Sequence, residues 1–230
     1  MNQQLHKIFL SKILLDIYKN RFLSWILGFK WWTCAMFFYW LDRLSVDLDF
    51  DVINFDLTEE NIVLISQEIK KILEKYWKIT DFAHKKHTIL FEFSYQKYER
   101  RVKIEISKRP IWKKTYVNKN FLWENVLILK ENDLFAEKLV AFLHRKWIAN
   151  RDLYDIYYFL DKWVLPTKEI IEEQSKMKYE EYLKKVLEII KKYDFSKALY
   201  WLGELVDDGK KNFIKNKMKD RLIGYLEFLF

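Results

Sequence analysis

Along residues 4–19, Leu5, Ile8, Phe9, Ile13, Leu14 and Ile17 recur at the three- and four-residue spacing of one helix face, so the chain opens on an amphipathic helix. A second helix is expected from about residue 33 to 39. The period then changes. Over 46–53, Val46, Leu48, Phe50 and Val52 alternate with Asp47, Asp49 and Asp51, which predicts a strand with one apolar and one acidic side. Helical spacing returns over 59–76. Residues 88–95 and 101–107 read as two further strands. The charged turn between them is too short for a helical crossover, so an antiparallel pair is expected. A weaker strand is expected over 125–129.

From residue 133 onward no strand pattern remains. Asp133 is expected to cap a helix reaching about residue 146, and Asn150 one ending near 162. Pro166 and Thr167 should open a long Lys/Glu-rich helix to about residue 193. Two more helices follow, separated at Asp207-Asp208-Gly209. The predicted fold class is α+β, with strands and flanking helices in residues 1–130 and a helical lobe in 131–230.

The 230 residues suit one domain or two small lobes. Half the chain is apolar and 32% is charged, a globular balance rather than a disordered one. Lys and Arg exceed Asp and Glu by 41 to 33, a net +8 that is compatible with a polyanionic partner without identifying it. The lone Cys34 excludes an intramolecular disulfide framework and a multi-cysteine zinc site. His84 and His87, in a charged connection, read as surface residues rather than metal ligands. The most apolar run, 31–41, is broken by Thr33 and falls short of the roughly 18 apolar residues of a membrane span. Lys12 and Asp16 interrupt the N-terminal apolar stretch, unlike a signal peptide. A cytoplasmic protein with no membrane partner is expected.

Glycine and tryptophan are out of proportion. The chain has 4 glycines and 10 tryptophans, whereas average usage of about 7% predicts roughly 16 glycines. Trp147 and Trp163 stand where helices are expected to stop, a context that favours a residue able to take positive φ. These observations raise the expectation that many tryptophan positions are glycine positions, through a codon read differently in the living cell.

The strongest chemical signal is Arg43-Leu44-Ser45-Val46-Asp47-Leu48-Asp49-Phe50-Asp51. On a strand, Asp47 and Asp49 project from one face about 7 Å apart, close enough to share a hard cation. Without a metal or basic groups the two charges would repel. Glu105, central in the strand that carries Lys103, Ile104 and Ile106, offers a third carboxylate. Three such groups suit two magnesium ions, although alternating aspartates also mark the solvated face of an edge strand.

The segment Leu27-Gly28-Phe29-Lys30-Trp31-Trp32-Thr33-Cys34-Ala35-Met36 precedes this motif, and Lys138 and Asn150-Arg151-Asp152-Leu153-Tyr154-Asp155 follow it. Together they resemble the AbiEii/AbiGii toxin family of nucleotidyltransferases, within the DNA polymerase β-like superfamily, over residues 4 to about 162. The family pattern is Gly-Gly-Thr/Ser opening a helix, R-x-S-x-D-x-D on the next strand, then a lysine and R-D-x-x-D. This chain has Trp31-Trp32 where the family has Gly-Gly. The resemblance implies a nucleotidyltransferase-like mixed sheet with flanking helices. It implies Asp47 and Asp49 as catalytic magnesium ligands, Glu105 as third ligand or general base toward the acceptor hydroxyl, and Asp152 as a further active-site acid. Trp31, Trp32, Thr33, Ser45, Lys138, Arg151 and Asp155 would serve NTP binding, Lys138 at the triphosphate and Arg151 and Asp155 as supports for Asp152.

Between residues 97 and 120 nine Lys/Arg face two Glu, a local +7, with Tyr98, Trp112 and Tyr116 interleaved. Arg100, Arg101, Lys108, Arg109, Lys113 and Lys114 are the candidate RNA contacts, since basic and aromatic groups together track a phosphate backbone and stack bases. A lysine-protected hairpin edge has the same pattern. The reading is a magnesium-dependent, pyrophosphate-releasing nucleotidyltransferase toxin. By resemblance it acts on an RNA such as a tRNA 3′ end, beside a cognate antitoxin, in phage defence or growth arrest. The rivals are a non-catalytic binding module of the same fold and a metal-dependent phosphodiesterase using the same carboxylates.

Overall fold

The computed structural model describes residues 3–76, 78–94, 101–111 and 113–229. The chain divides into two compact units, one of residues 1–38, 44–111 and 116–129, the other of 39–43, 112–115 and 130–230.

The first unit begins with helix α1 (Gln3–Lys19), whose buried face is Leu10, Ile13, Leu14 and Ile17. A short helix α2 (Arg21–Ile26), capped by the Asn20 side chain, leads directly into strand β1 (Leu27–Lys30). Helix α3 (Trp31–Phe38) follows with no intervening loop. Strand β2 (Leu48–Val52) and helix α4 (Glu59–Leu73), capped by Thr58, come next. Strands β3 (Ile79–His84), β4 (Thr88–Phe93), β5 (Val102–Ser107), β6 (Tyr116–Phe121) and β7 (Glu124–Leu129) complete the unit.

The strands form one seven-stranded sheet in the order β3-β4-β5-β2-β1-β7-β6. The β2–β5 and β1–β7 pairs are parallel and the rest antiparallel. The antiparallel pairing expected of 88–95 with 101–107 is present as β4–β5, over 88–93 and 102–107. Cross-strand register places Phe29, Phe50, Ile106, Ile89 and Ile128 on one face, all fully buried. Tyr18 of α1 holds that helix to the sheet through its hydroxyl, which donates to the Leu27 and Leu127 carbonyl oxygens. The other face carries Lys30, Asp49, Asp51 and Glu105. The acidic strand is therefore interior to the sheet, and the edge-strand reading of its aspartates is set aside: every β2 residue is buried.

One glycine of the unit is fixed by contact. A Cβ on Gly28 would lie 2.2 Å from Cε1 of Tyr116, whose ring crosses from β6 over β7 to reach β1. Gly28→Ala would displace that ring and break the Tyr116 hydroxyl's 2.6 Å bond to Asp51. The expected cost is about 1–3 kcal/mol, read as a lowered midpoint in urea denaturation; a chain as stable as the parent would contradict the contact.

The second unit is helical. It holds α5 (Glu131–His144), α6 (Asn150–Asp161), α7 (Lys168–Ser175), α8 (Tyr179–Lys192), α9 (Asp208–Asn216) and α10 (Met218–Phe228). Phe135 of α5 stacks on Phe159 of α6 with ring centroids 5.1 Å apart, and the Tyr182 hydroxyl of α8 donates to the Leu139 carbonyl oxygen.

Several expected boundaries change. The long helix from Thr167 is two helices, broken at Lys176, whose φ of 59° is left-handed. Asp133 lies inside α5, its carboxylate bonded to the Thr115 N–H and the Thr167 hydroxyl rather than capping the helix. Asn150 is likewise the first residue of α6, with its amide on the Lys197 and Tyr200 carbonyl oxygens. Asp207 caps α9, so 207–209 begins a helix instead of separating two. Among the described residues no helix is long and apolar enough to cross a membrane.

Candidate functional site

Two clusters of chemistry-bearing residues stand out, one in each unit. In the first unit the parallel register pairs Asp49 of β2 with Glu105 of β5, so their side chains share a face of the sheet. Asp49 is 7% exposed and Glu105 half-buried. Asp47, one residue before β2, accepts at Oδ1 from the Lys103 backbone N–H at 3.1 Å. Among the described residues no three acidic, histidine or cysteine side chains are already gathered as a cation site. Asp47 stands just before β2, Asp49 on it and Glu105 on the neighbouring β5.

The start of α3 is tied to the same strand. The Thr33 hydroxyl donates to the Asp47 carbonyl oxygen and shares a 2.9 Å bond with the Ser45 hydroxyl, and both hydroxyl residues are buried. Trp31 makes the turn from β1 into α3 at a φ of 59°, a left-handed backbone that bulky residues seldom adopt. Trp32 follows it in the first helical turn, 8% exposed. The Lys30 ammonium lies 4.9 Å from the Trp31 ring centroid.

Sequence reasoning missed what holds this corner together. Asp51 is fully buried and receives Lys30 Nζ at 2.6 Å on one oxygen and the Tyr116 hydroxyl at 2.6 Å on the other. A lysine at the end of an otherwise apolar strand was the available signal, because a buried ammonium needs a carboxylate.

The second unit encloses the other cluster. Arg43 grips Asp155 with both arms of its guanidinium, Nε to Oδ1 at 2.6 Å and Nη2 to Oδ2 at 2.7 Å. Lys138 Nζ lies 3.0 Å from Asp155 Oδ2 and pairs with Asp152 Oδ1. Arg145 reaches Asp152 Oδ2 at 2.8 Å. Burial pushes the Lys138 ammonium down to about 8, against the upward pull of Asp152 and Asp155. Burial would also raise Asp155, but Arg43 and Lys138 outweigh it and hold the carboxyl below its usual range.

Lys138 and Asp152, expected at the nucleotide, are thus brought together with Asp155. Asp155, expected as a support for Asp152, has its carboxylate held by Arg43 and Lys138. Arg43 stands 112 residues from Asp155 in the chain, a separation that no local pattern signals.

The basic strip is uneven. Arg101 and Lys103 lie 3.3 Å from the Glu92 carboxylate, while Arg109 and Lys113 are exposed and Lys108 is half-buried. Lys114 does not belong to an exposed strip: its side chain is 6% exposed and pairs with Glu137 at 2.5 Å. Arg100, with Tyr98 and Trp112, lies outside the described residues.

A mixed sheet with an acidic pair on adjacent strands, reached by a helix that starts at a strand end, is a nucleotidyltransferase-like fold. Two solved structures share it. One is a candidate nucleotidyltransferase from H. pylori, at 18% identity and a TM-score of 0.59, covering 100% of this chain and 99% of that one. The other is JHP933 from Helicobacter pylori, at 17% and 0.55, covering 100% and 95%. At these identities the likeness defines the fold. No curated protein matches the chain. Residues 33–221 match the family described as the nucleotidyl transferase AbiEii toxin of type IV toxin–antitoxin systems, and the chain belongs to that family.

Proposed function

We propose that this protein transfers a nucleotide from an NTP to an acceptor hydroxyl on RNA, with a tRNA 3′ end as the acceptor. The observation that carries the reading is the β2–β5 register, which sets Asp49 beside Glu105 while Thr33 ties the start of α3 to Asp47. Oxygen donors are the class that magnesium takes, so Asp47, Asp49 and Glu105 are the residues that would hold two such ions. Bound magnesium supplies charge stabilisation at phosphoryl oxygens and at the departing pyrophosphate.

The chain's own groups divide the remaining work. Glu105, half-buried where Asp49 is buried, accepts the proton of the acceptor hydroxyl. That oxygen bonds to the α-phosphorus as the bond to pyrophosphate breaks. The backbone at the start of α3 presents the positive end of the helix to the phosphates. Thr33 and Ser45 fix where that helix starts. Asp152 and Lys138 belong to the enclosed network of the second unit, and Lys138 as it stands serves two carboxylates rather than a phosphate. Arg101, Lys108, Arg109 and Lys113 supply cationic contacts to RNA. Family membership supports an antitoxin partner, a cytoplasmic setting and a role in growth arrest or phage defence.

One observation favours a second reading, a non-catalytic binding module: the indoles of Trp31 and Trp32 stand at the start of α3, where phosphate must approach the backbone. Purified chain as written, and the Trp31→Gly/Trp32→Gly form, would be incubated with total tRNA, magnesium and each labelled NTP, with Asp47→Ala as blank. Label on RNA with release of pyrophosphate is the expected result for the glycine form. Absence of both transfer and NTP binding in either form would favour the binding module, and hydrolysis without transfer the phosphodiesterase.

A further inference from the structure

Nine described non-glycine residues have left-handed backbone, and five of them are tryptophan: Trp31 (φ 59°), Trp40 (61°), Trp123 (75°), Trp163 (57°) and Trp201 (62°). At the chain's tryptophan frequency fewer than one of nine would be. No glycine among the described residues has positive φ. In this region the Cβ of an L-residue crowds the following carbonyl oxygen, whereas glycine enters without penalty.

The local structures make the same demand. Trp163 sits just past the end of α6, and its N–H bonds the Leu160 carbonyl at 3.0 Å while the Val164 N–H bonds Phe159 at 3.0 Å. That pair of bonds is the Schellman ending of a helix, with Trp163 at the position glycine usually takes. Leu122 and Trp123 are the two central residues of the β6–β7 hairpin, at φ 47° and 75°. Positive φ at both is the type I′ turn, which favours Asn-Gly. Trp40 lies just past α3, and Trp31 makes the turn from β1 into it with no loop.

At four of the five positions packing offers little in return. Trp40 is 83% exposed, Trp123 93%, Trp163 65% and Trp201 68%. Trp163 meets Tyr225 and Phe228 edge-on. A large apolar side chain that is both strained at the backbone and turned into water has no physical reason to be there. Trp147 provides the contrast: it is 74% exposed, but its backbone is not left-handed, so the geometry does not extend to it.

We propose that positions 31, 40, 123, 163 and 201 are glycine in the protein as its own cell makes it, through a codon read there as glycine and rendered here as tryptophan. Each position then regains the one residue its backbone suits. The codon that different genetic codes assign to tryptophan or to glycine is UGA.

The test reads the gene and the native protein together. UGA at these five positions is expected, with native peptides lighter at each by the difference between an indolylmethyl group and a hydrogen. UGG codons, or tryptophan in the native peptides, would overturn the proposal at that position. A second measurement tests the conformational argument on recombinant chain. Trp123→Gly and Trp163→Gly should each raise the melting temperature by about 2–4 °C, and Trp147→Gly should not. A uniform response at all three would remove the backbone argument. None of these readouts depends on nucleotidyl transfer, so the proposal and the proposed activity fail separately.

Discussion

Asp155→Asn is expected to lower the stability of the fold by about 3–5 kcal/mol, the usual consequence of removing one partner from a buried ion pair. In a chain of this size that corresponds to a fall of roughly 6–20 °C in melting temperature. The amide keeps the shape of the side chain but leaves the Arg43 guanidinium and the Lys138 ammonium facing a neutral group inside the protein. The effect has a pH signature. Asp155 is held below its usual carboxylate range in the fold, so its contribution is complete above that range and disappears as pH falls through the folded value. The gap between parent and variant should therefore be widest near neutral pH and narrow in acid. Urea denaturation at several pH values measures it, and a gap below about 1 kcal/mol at pH 7 would show that the pair stabilises no more than a surface contact does.

Asp49→Asn should separate chemistry from folding. The substitution conserves volume in a buried strand and removes the charge beside Glu105. Nucleotidyl transfer is expected to fall by about 10²–10³-fold or more, the scale seen when one group that stabilises transition-state charge is lost. Asp51→Asn is the informative companion, because Asp51 is committed to Lys30 and Tyr116. It should lower stability first. Equal retention of transfer by Asp49→Asn and the parent would reject the assignment of the acidic pair, whatever happens at Asp51.

Strong periodicity was readable, and among the weaker patterns so was 125–129, present as β7. The helix over 4–19, the helix over 59–76 and the alternating strand around Asp47, Asp49 and Asp51 appear where the pattern placed them, as α1, α4 and β2. Three strands escaped notice, each for its own reason. β1 is only four residues long and buried on both faces, so it shows no alternation. β3 carries an irregularity between Ile79 and Asp81 that breaks its period. β6 is the polar edge of the sheet, with Asn118, Lys119 and Asn120 exposed, and reads as loop. The site was partly readable on the same grounds. Asp47 and Asp49 are neighbours in sequence, and Glu105 could be matched to them once both were placed on strands. Of the partners of Asp51 and Asp155, Lys30 gave a sequence signal, while Tyr116 and Arg43 come from distant segments that no local pattern connects.

The place of β1 in the sheet also has a consequence for how the protein is made. One side of β1 pairs with β2, which follows it closely, but the other waits for Ile128 of β7 to meet Phe29. Roughly 100 residues must be added in between, about 5–20 s of synthesis at ordinary ribosomal rates. During that interval the nascent chain carries an unpaired apolar strand edge at the middle of its future sheet. Chains released before residue 129 would keep that edge open and be prone to associate through it. The final hairpin of the first unit thus acts as the closing clasp of its synthesis.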